Sequence, residues 1–401
     1  MFNIDHLYGI LHAQLLSNKH LQGHALKKFN KCDSNNDILK YPDSSLFYFE
    51  DVYFYDQEPF GTSISIPQSM YDVVRELQDG RWDLKYNIWA TSENNNPLLN
   101  AFCSKNNLIK WYYFYHAFAS LDWFRSVKYY PKVDVYKGAS FISLNNLCTD
   151  SRVYRSLFVS KLYEQGLLGE GVVSYNIKDY NNNVYISNKD KKLIKRLADV
   201  NTSFRIQKTD YYQDNASAEV EYDLWTSSFW HVVSETCFYE KTNHLTEKIF
   251  KPIVSRQPFL LLGPTGNLEY LRSYGFKTFH QFIDESYDEE KDPSIRLDMV
   301  LEQIRYICNL SSEDKRNMYF NMLPILEHNF HHFYNRLFDI CWQELLDNFE
   351  ISSSKLQSKQ KTQARHPNLS KIDRELGSYQ TLPGNLGKQF RKKWLIKQPT
   401  D

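Results

Sequence analysis

The sequence lacks the features that most directly mark nucleotide or metal binding. Its 401 residues hold 14 glycines, and these never fall into GxGxxG or GxxxxGK[ST]. The dinucleotide and P-loop readings lose their main support, because both need glycines that let backbone amides approach phosphate. Six cysteines (Cys32, Cys103, Cys148, Cys237, Cys308, Cys341) are scattered with no CxxC and no close pair. That spacing excludes a disulfide framework or a zinc site and suits a reducing compartment. There is no clean DxD metal signal, and no apolar run approaches the ~18 residues of a membrane-spanning helix. The opening "MFNIDHLYGILHAQLL" lacks a basic lead and carries an acid and two histidines, so it does not read as a signal peptide. These absences predict a soluble, cytoplasmic monomer or small oligomer.

What is present points to a globular enzyme-sized chain. The length suggests two domains with an appendage, and the 42% apolar and 24% charged residues exclude a disordered protein. Aromatic content is high, with 29 Tyr and 26 Phe. Most of these fill cores, although such side chains also suit stacking on sugars or bases. The net charge of zero hides an asymmetry: residues 351–401 carry a net +8 and the preceding 350 a net −8. A basic, Ser/Gln/Lys-rich end reads as a solvated tail that is also suited to phosphate contacts.

Periodicity organises the chain into α/β units. The first 135 residues or so mix short aromatic-rich strands with loops. "SSLFYFEDVYFYDQEPF" (44–60) reads as two strands, and "NLIKWYYFYHAFASLDWF" (107–124) as a strand followed by a helix. From Ala139 the units become regular. "ASFISLNN" is a buried strand, and the helix from Asp150 or Ser151 ends at Gly166. "GVVSYNI" is the next strand, so the sheet is predicted to be parallel. "TEKIFKPIVSR" reads as a short helix, "PFLLLG" as a strand, "GNLEYLRSYG" as a helix ending at Gly275 and "FKTFHQF" as a strand. An acidic-to-amphipathic stretch covers 284–309, and a helix runs from about Ser312 to Leu346. This predicts an N-terminal domain (1–137), a C-terminal domain (138–346) and a polar tail (347–401). The two domains would be Rossmann-like and face a cleft, with ligands at the carboxyl ends of strands.

The chemistry concentrates in "NHLTEKIF" (243–250). Thr246 stands where it would cap a helix, with Glu247 and Lys248 in the first turn. Amides at a helix start favour an anion, and a neighbouring lysine adds charge and three donors. Glu247 is suited to accept from the two hydroxyls of a ribose, so one turn would hold both ends of a nucleoside diphosphate. Taken alone, the tripeptide is equally an ordinary surface helix start. "FIDESYDEEKD" (282–292) is either an exposed acidic loop or a divalent-ion site.

The segment "FWHVVSETCFYEKTNHLTEKIFKPIVSRQPFLLLGP" (229–264) resembles the donor-binding motif of the α1,3-fucosyltransferases, the family 10 glycosyltransferases. Glu235 matches the motif's first Glu, Thr246, Glu247 and Lys248 match its Thr-Glu-Lys, and Pro258 with "LLLGP" matches its closing strand. Thr236 replaces an Asn, His244 stands where the family has Tyr, and the spacing to the tripeptide is two residues longer. Upstream, "FISLNNLCTDSRVYRSLFVSKL" (141–162) is similar to the family's strand and Arg-bearing helix, with Arg155 matching the phosphate-binding Arg and Arg152 as its competitor. In "YDQEPF" (55–60), Glu58 before Pro59 matches the proposed general base, and Asp56 competes for it. His116 in "YYFYHAF" is a further candidate base or acceptor contact, or else a satisfied core histidine. The whole pattern also resembles a group of fucosyltransferase-like proteins common in phages and marine bacteria.

The resemblance implies an inverting, metal-independent glycosyltransferase of the GT-B type. It needs no cofactor and takes a nucleoside-diphosphate sugar as co-substrate. Arg155, Arg152 and Lys248 would hold the diphosphate. Glu247 would hold the ribose, and Glu235, His244 and Thr246 would line the donor pocket. Glu58 or Asp56 would be the base. The acceptor is either a glycan or a hydroxymethylated pyrimidine in phage DNA. In the second case the basic tail, with the Lys/Arg cluster at 391–397, would contact the nucleic acid in the host cytoplasm. A non-catalytic nucleotide-sugar binder is the alternative.

Overall fold

The computed structural model describes residues 52–54, 88–124, 127, 138–204 and 227–364. Glu58, Asp56 and the cluster at 391–397 lie outside the described residues. The fold is mixed α/β, with two sheets. The first contains β1 (Val52–Phe54), β2 (Ile88–Thr91) and β3 (Ile109–Tyr112), in that order and all parallel. Helix α1 (Pro97–Lys105) makes the crossover between β2 and β3. It starts where it does because the Asn96 side chain accepts from the N–H groups of Leu98 and Leu99, while Pro97 gives up a donor that would have no partner. Helix α2 (Tyr115–Trp123) follows β3.

The second sheet contains β4 (Ala139–Leu144), β5 (Gly171–Asn176), β6 (Ser203–Phe204), β7 (Ser228–Ser234) and β8 (Phe259–Leu262), in the order β6-β5-β4-β7-β8. All pairs are parallel except the antiparallel edge pair β5–β6. Every residue of β7 and β8 is buried. A strand covered on both faces needs such a nearly continuous apolar run. Around this sheet lie α3 (Tyr154–Glu164), α4 (Asn188–Val200), α5 (Glu247–Val254), α6 (Asn267–Ser273), α7 (Pro293–Asn309), α8 (Ser312–Asn335) and α9 (Leu337–Ala364). Helix α3 is entered through a 3-10 turn at Asp150–Val153, and neither Asp150 nor Ser151 caps it. Gly166 (φ 70°) and Gly275 (φ 91°) turn the chain after α3 and α6 in the left-handed conformation glycine tolerates.

Three stretches differ from the pattern reading. "FKTFHQF" (276–282) forms no strand. Phe276 and Phe279 are buried as a strand would bury them, but side chains satisfy the local backbone. Asn329 donates to the Lys277 carbonyl and accepts from its N–H (2.8 Å each), and the Glu285 carboxylate takes the Phe279 N–H. The acidic stretch is exposed at Asp284, Glu289 and Asp292 but turns one acid inward. Asp288 is buried and accepts from the N–H groups of Leu268 (2.9 and 3.0 Å) and Glu269 (3.2 Å), which anchors the start of α6. Among the described residues no group of three His, Cys, Asp or Glu side chains is placed to hold a metal ion. The long C-terminal helix breaks at Arg336 and resumes as α9, which carries helical chain past residue 347 to Ala364.

Helix α9 joins the two halves. Trp111 on β3 donates from Nε1 to the Leu345 carbonyl (3.1 Å), Asn348 donates to the Tyr112 carbonyl (3.2 Å), and Ser352 donates to that of Lys110 (3.1 Å). The halves also meet directly. Phe114 packs on Phe250 and Tyr274, and the hydroxyls of Tyr112, Tyr270 and Tyr274 form a buried network that ends on Glu344. No helix among the described residues is long and apolar enough to cross a membrane.

Candidate functional site

Strand β7 brings the chain to the carboxyl edge of the second sheet and releases it at Glu235. That exit is held from α3. Arg155 donates to the carbonyls of Leu147 (2.8 Å), Ser234 (3.0 Å) and Glu235 (2.7 Å), and its Nε lies 3.4 Å from the Tyr154 hydroxyl. Tyr154 itself donates to the Glu235 carbonyl and stacks on Phe238 at 4.3 Å. Arg155 is 4% exposed. Its guanidinium is committed to main-chain carbonyls, which places it beneath the loop as a fixing group. Arg152, half-buried in the 3-10 turn, is the arginine whose charge reaches His244.

The fully buried Glu235 carboxylate then reaches forward to the knot. Oε1 accepts the Thr246 N–H (3.1 Å) and Oε2 the Thr246 hydroxyl (2.6 Å). Burial pushes the Glu235 carboxyl up, and the Lys248 charge and the Thr246 bonds oppose that push. With its proton given to Glu235, the Thr246 oxygen is oriented to accept. It caps α5 by taking the Lys248 N–H (3.4 Å) and also takes the Lys248 ammonium (3.1 Å). The ammonium bonds Glu247 Oε1 at 2.9 Å and lies 3.5 Å from the Thr236 hydroxyl. Lys248 is thus preorganised at a helix start. Its side chain is 33% exposed, against 6% for Glu247.

Glu247 and His244 face the first half. Nδ1 of His116, in the first turn of α2, lies 3.5 Å from Glu247 Oε2. Burial acts to raise the Glu247 carboxyl, but Lys248 and His116 outweigh it and hold the group well below the usual carboxylate range. The His244 ring stands edge-on to His116 at 5.1 Å. It is 1% exposed, and neither of its nitrogens has a hydrogen-bond partner. Burial above all, with the neighbouring His116 and Lys248, holds it well below the usual histidine range and therefore neutral. The His244 backbone is fixed by Asn267, which accepts from its N–H (3.3 Å) and donates to its carbonyl (3.0 Å).

Glu93 escaped the sequence reading. It is fully buried after β2 and accepts from Asn96 and from Thr242 (3.2 Å), tying the first half to the loop before the knot. The Asn-Pro helix start at 96–97 was the available signal, because a buried carboxylate so near it has a cap to support. A cavity of about 640 Å³ opens elsewhere, between α3, α4 and α7. It shares Phe238 and Tyr239 with the loop that connects Glu235 to the knot.

Comparison with known proteins leaves the site to be read on its own chemistry. No family model and no curated protein matches the chain. One solved structure, the alpha,alpha-trehalose 6-phosphate synthase from Burkholderia multivorans, aligns with a TM-score of 0.36 and 9% identity over 77% of this chain. The alignment spans 66% of that protein, just under two thirds of its length. A likeness at that level carries no functional argument.

Proposed function

We propose that this chain is a GT-B-type glycosyltransferase that moves a sugar from a nucleoside-diphosphate sugar to a hydroxyl acceptor with inversion. The observation that carries the reading is the Lys248 ammonium. It is held by Thr246 and Glu247 at the first turn of α5, partly open to solvent, at the carboxyl edge of a parallel sheet. Ligands of open α/β sheets bind at such edges. As the sugar–phosphate bond breaks, negative charge builds on the leaving diphosphate. A fixed ammonium beside the amides of a helix start stabilises that charge without needing a metal. Arg152 adds a second cation. In this reading Glu247 and His244 would read the ribose or sugar hydroxyls, and Arg155 would support the loop through the Leu147, Ser234 and Glu235 carbonyls.

The test is a thermal-shift panel of UDP-, GDP- and TDP-sugars on the wild type and on Lys248→Ala. One donor class should raise the wild-type melting temperature, with the rise largely lost in the variant. No shift with any donor, or equal shifts in both proteins, overturns the reading. Release of the nucleoside diphosphate then separates an enzyme from a non-catalytic binder. Salt-sensitive retention on DNA, absent on glycans, would assign the acceptor to nucleic acid.

A further inference from the structure

We propose that the cavity between α3, α4 and α7 binds a neutral oligosaccharide, at a site separate from the Lys248 knot. Nothing at this site depends on the donor reading above, because no nucleotide sugar and no residue of the knot takes part.

The cavity measures about 640 Å³, within the ~300–1,000 Å³ range of ligand pockets. Its apolar lining comes from Leu157 of α3, Leu193 of α4 and Leu297 of α7, together with the rings of Tyr185, Phe238 and Tyr239. The aromatic part is held rigidly. The Phe238 N–H donates to Glu240 (2.8 Å), and its carbonyl accepts from Arg296 (2.5 Å). The Phe238 ring stacks on Tyr154 at 4.3 Å, with the Arg296 guanidinium 4.6 Å from its centre. Tyr239 stacks in turn on Tyr185 at 5.0 Å. The Tyr239 hydroxyl is buried and has no hydrogen-bond partner among the described residues. Buried polar atoms are normally paired, and a ligand hydroxyl is a group that can complete this one.

The polar lining selects against charge. It carries four basic side chains against four acidic ones, a net of zero. All four acids are engaged. Asp298 on α7 bridges to Lys161 on α3, and Glu164 on α3 to Arg196 on α4 at 3.0 Å. Asp190 accepts from the Ser187 N–H (3.2 Å) and hydroxyl (2.7 Å) at the start of α4. Asp292 accepts from the N–H groups of Ser294 (2.8 Å) and Ile295 (3.1 Å) at the start of α7. A cation therefore finds each carboxylate already partnered. An anion finds both helix starts occupied by carboxylates, where it would otherwise be favoured. What is left is an apolar, aromatic surface ringed by paired donors and acceptors. A sugar ring matches it. Its C–H face packs on apolar and aromatic surface, its hydroxyls both give and take hydrogen bonds, and it brings no charge to be desolvated.

The full chain is titrated calorimetrically with lactose, cellobiose, maltotriose and chitobiose, and with a heparin disaccharide as the anionic probe. At least one neutral sugar should bind, with the same affinity at low and high salt, because no ion pair forms with it. Leu193→Trp fills the cavity and should lose that binding. Tyr239→Phe should weaken it roughly 2- to 10-fold, the worth of one hydrogen bond. The same variant should not lower the urea midpoint of the free protein, since the hydroxyl makes no bond there. Lys248→Ala should bind the sugar as wild type does. The site is overturned if no neutral sugar binds, or if the heparin disaccharide binds more tightly than all of them. Wild-type affinity in either cavity variant also overturns it, and so does a loss in Lys248→Ala, which would put the sugar in the knot. Should Leu193→Trp fail to fold, Tyr239→Phe decides.

Discussion

The Glu235 carboxylate holds Thr246, eleven residues further on, by both of its donors, the backbone N–H at 3.1 Å and the hydroxyl at 2.6 Å. This pair closes the loop after β7 and fixes the start of α5. It also forces the Thr246 oxygen to act as an acceptor for Lys248. One buried carboxylate thereby orients a cation it does not touch.

Replacing Glu235 with Gln keeps the shape and removes one acceptor. An amide N–H₂ would then face a donor in a fully buried place, which costs about 1–3 kcal/mol. The urea midpoint should fall accordingly. The donor-induced thermal shift should shrink with it, although Lys248 is intact. An unchanged donor response would show that Glu235 does not order the knot.

The two arginines should separate cleanly. Arg155→Lys cannot reproduce the fork that satisfies the Leu147, Ser234 and Glu235 carbonyls, so a stability loss of about 3 kcal/mol is expected in urea titration. Arg152→Ala should leave stability within about 0.5 kcal/mol, as for other partly exposed positions, while weakening donor binding roughly tenfold by calorimetry. The reverse pattern would restore Arg155 as the phosphate ligand.

His231 on β7 should make the protein acid-sensitive. Burial, aided by the Lys251 charge, lowers this histidine from 6.5 to about 3. A group depressed in the fold binds its proton more readily when unfolded. The stability it contributes is therefore complete above pH 6.5 and lost as pH falls toward 3, by about 1.4 kcal/mol per unit crossed. His231→Gln should shrink the stability difference between pH 7 and pH 5 by about 2 kcal/mol, from the same linkage. A difference as large as in wild type would refute this.

Trp342 tests the docking of α9 on the first half. It stacks on Phe338 at 6.0 Å, meets Phe118 edge-on at 6.5 Å and is 5% exposed. Trp342→Ala should cost about 3–5 kcal/mol. Hydrogen exchange should show the loss in α2 and β3 as well as in α9. A loss confined to α9 would mean that the helix does not brace that half.

The sequence alone marked β4, β5 and β8 and a parallel course for the second sheet, but not the edge strand β6, and it read a strand at 276–282 that does not form. β8 is a continuous apolar run and β4 and β5 are short runs rich in Val, Ile, Phe and Tyr, all bounded by Gly, Pro or Asn, and the helix starts at Thr246 and Asn267 carry local capping and turn signals, because propensity and periodicity act over a few residues. It also grouped Glu235, Thr246, Glu247 and Lys248 as one candidate site, although the resemblance rather than the pattern supplied that grouping. Tertiary structure decided which contacts each of these residues makes. Arg155 and Arg152 are indistinguishable as letters on one helical turn, yet one is buried under three carbonyls and the other is half-buried in the 3-10 turn. "FKTFHQF" reads as a strand, but Asn329 and Glu285, distant or hidden in the pattern, satisfy its backbone. His116 and Glu247 lie 131 positions apart by their numbering, and nothing local marks them as neighbours. Only the packing of α2 against α5 brings the His116 ring within 3.5 Å of the buried Glu247 carboxylate, because a buried charge is met by whatever polar groups the fold delivers.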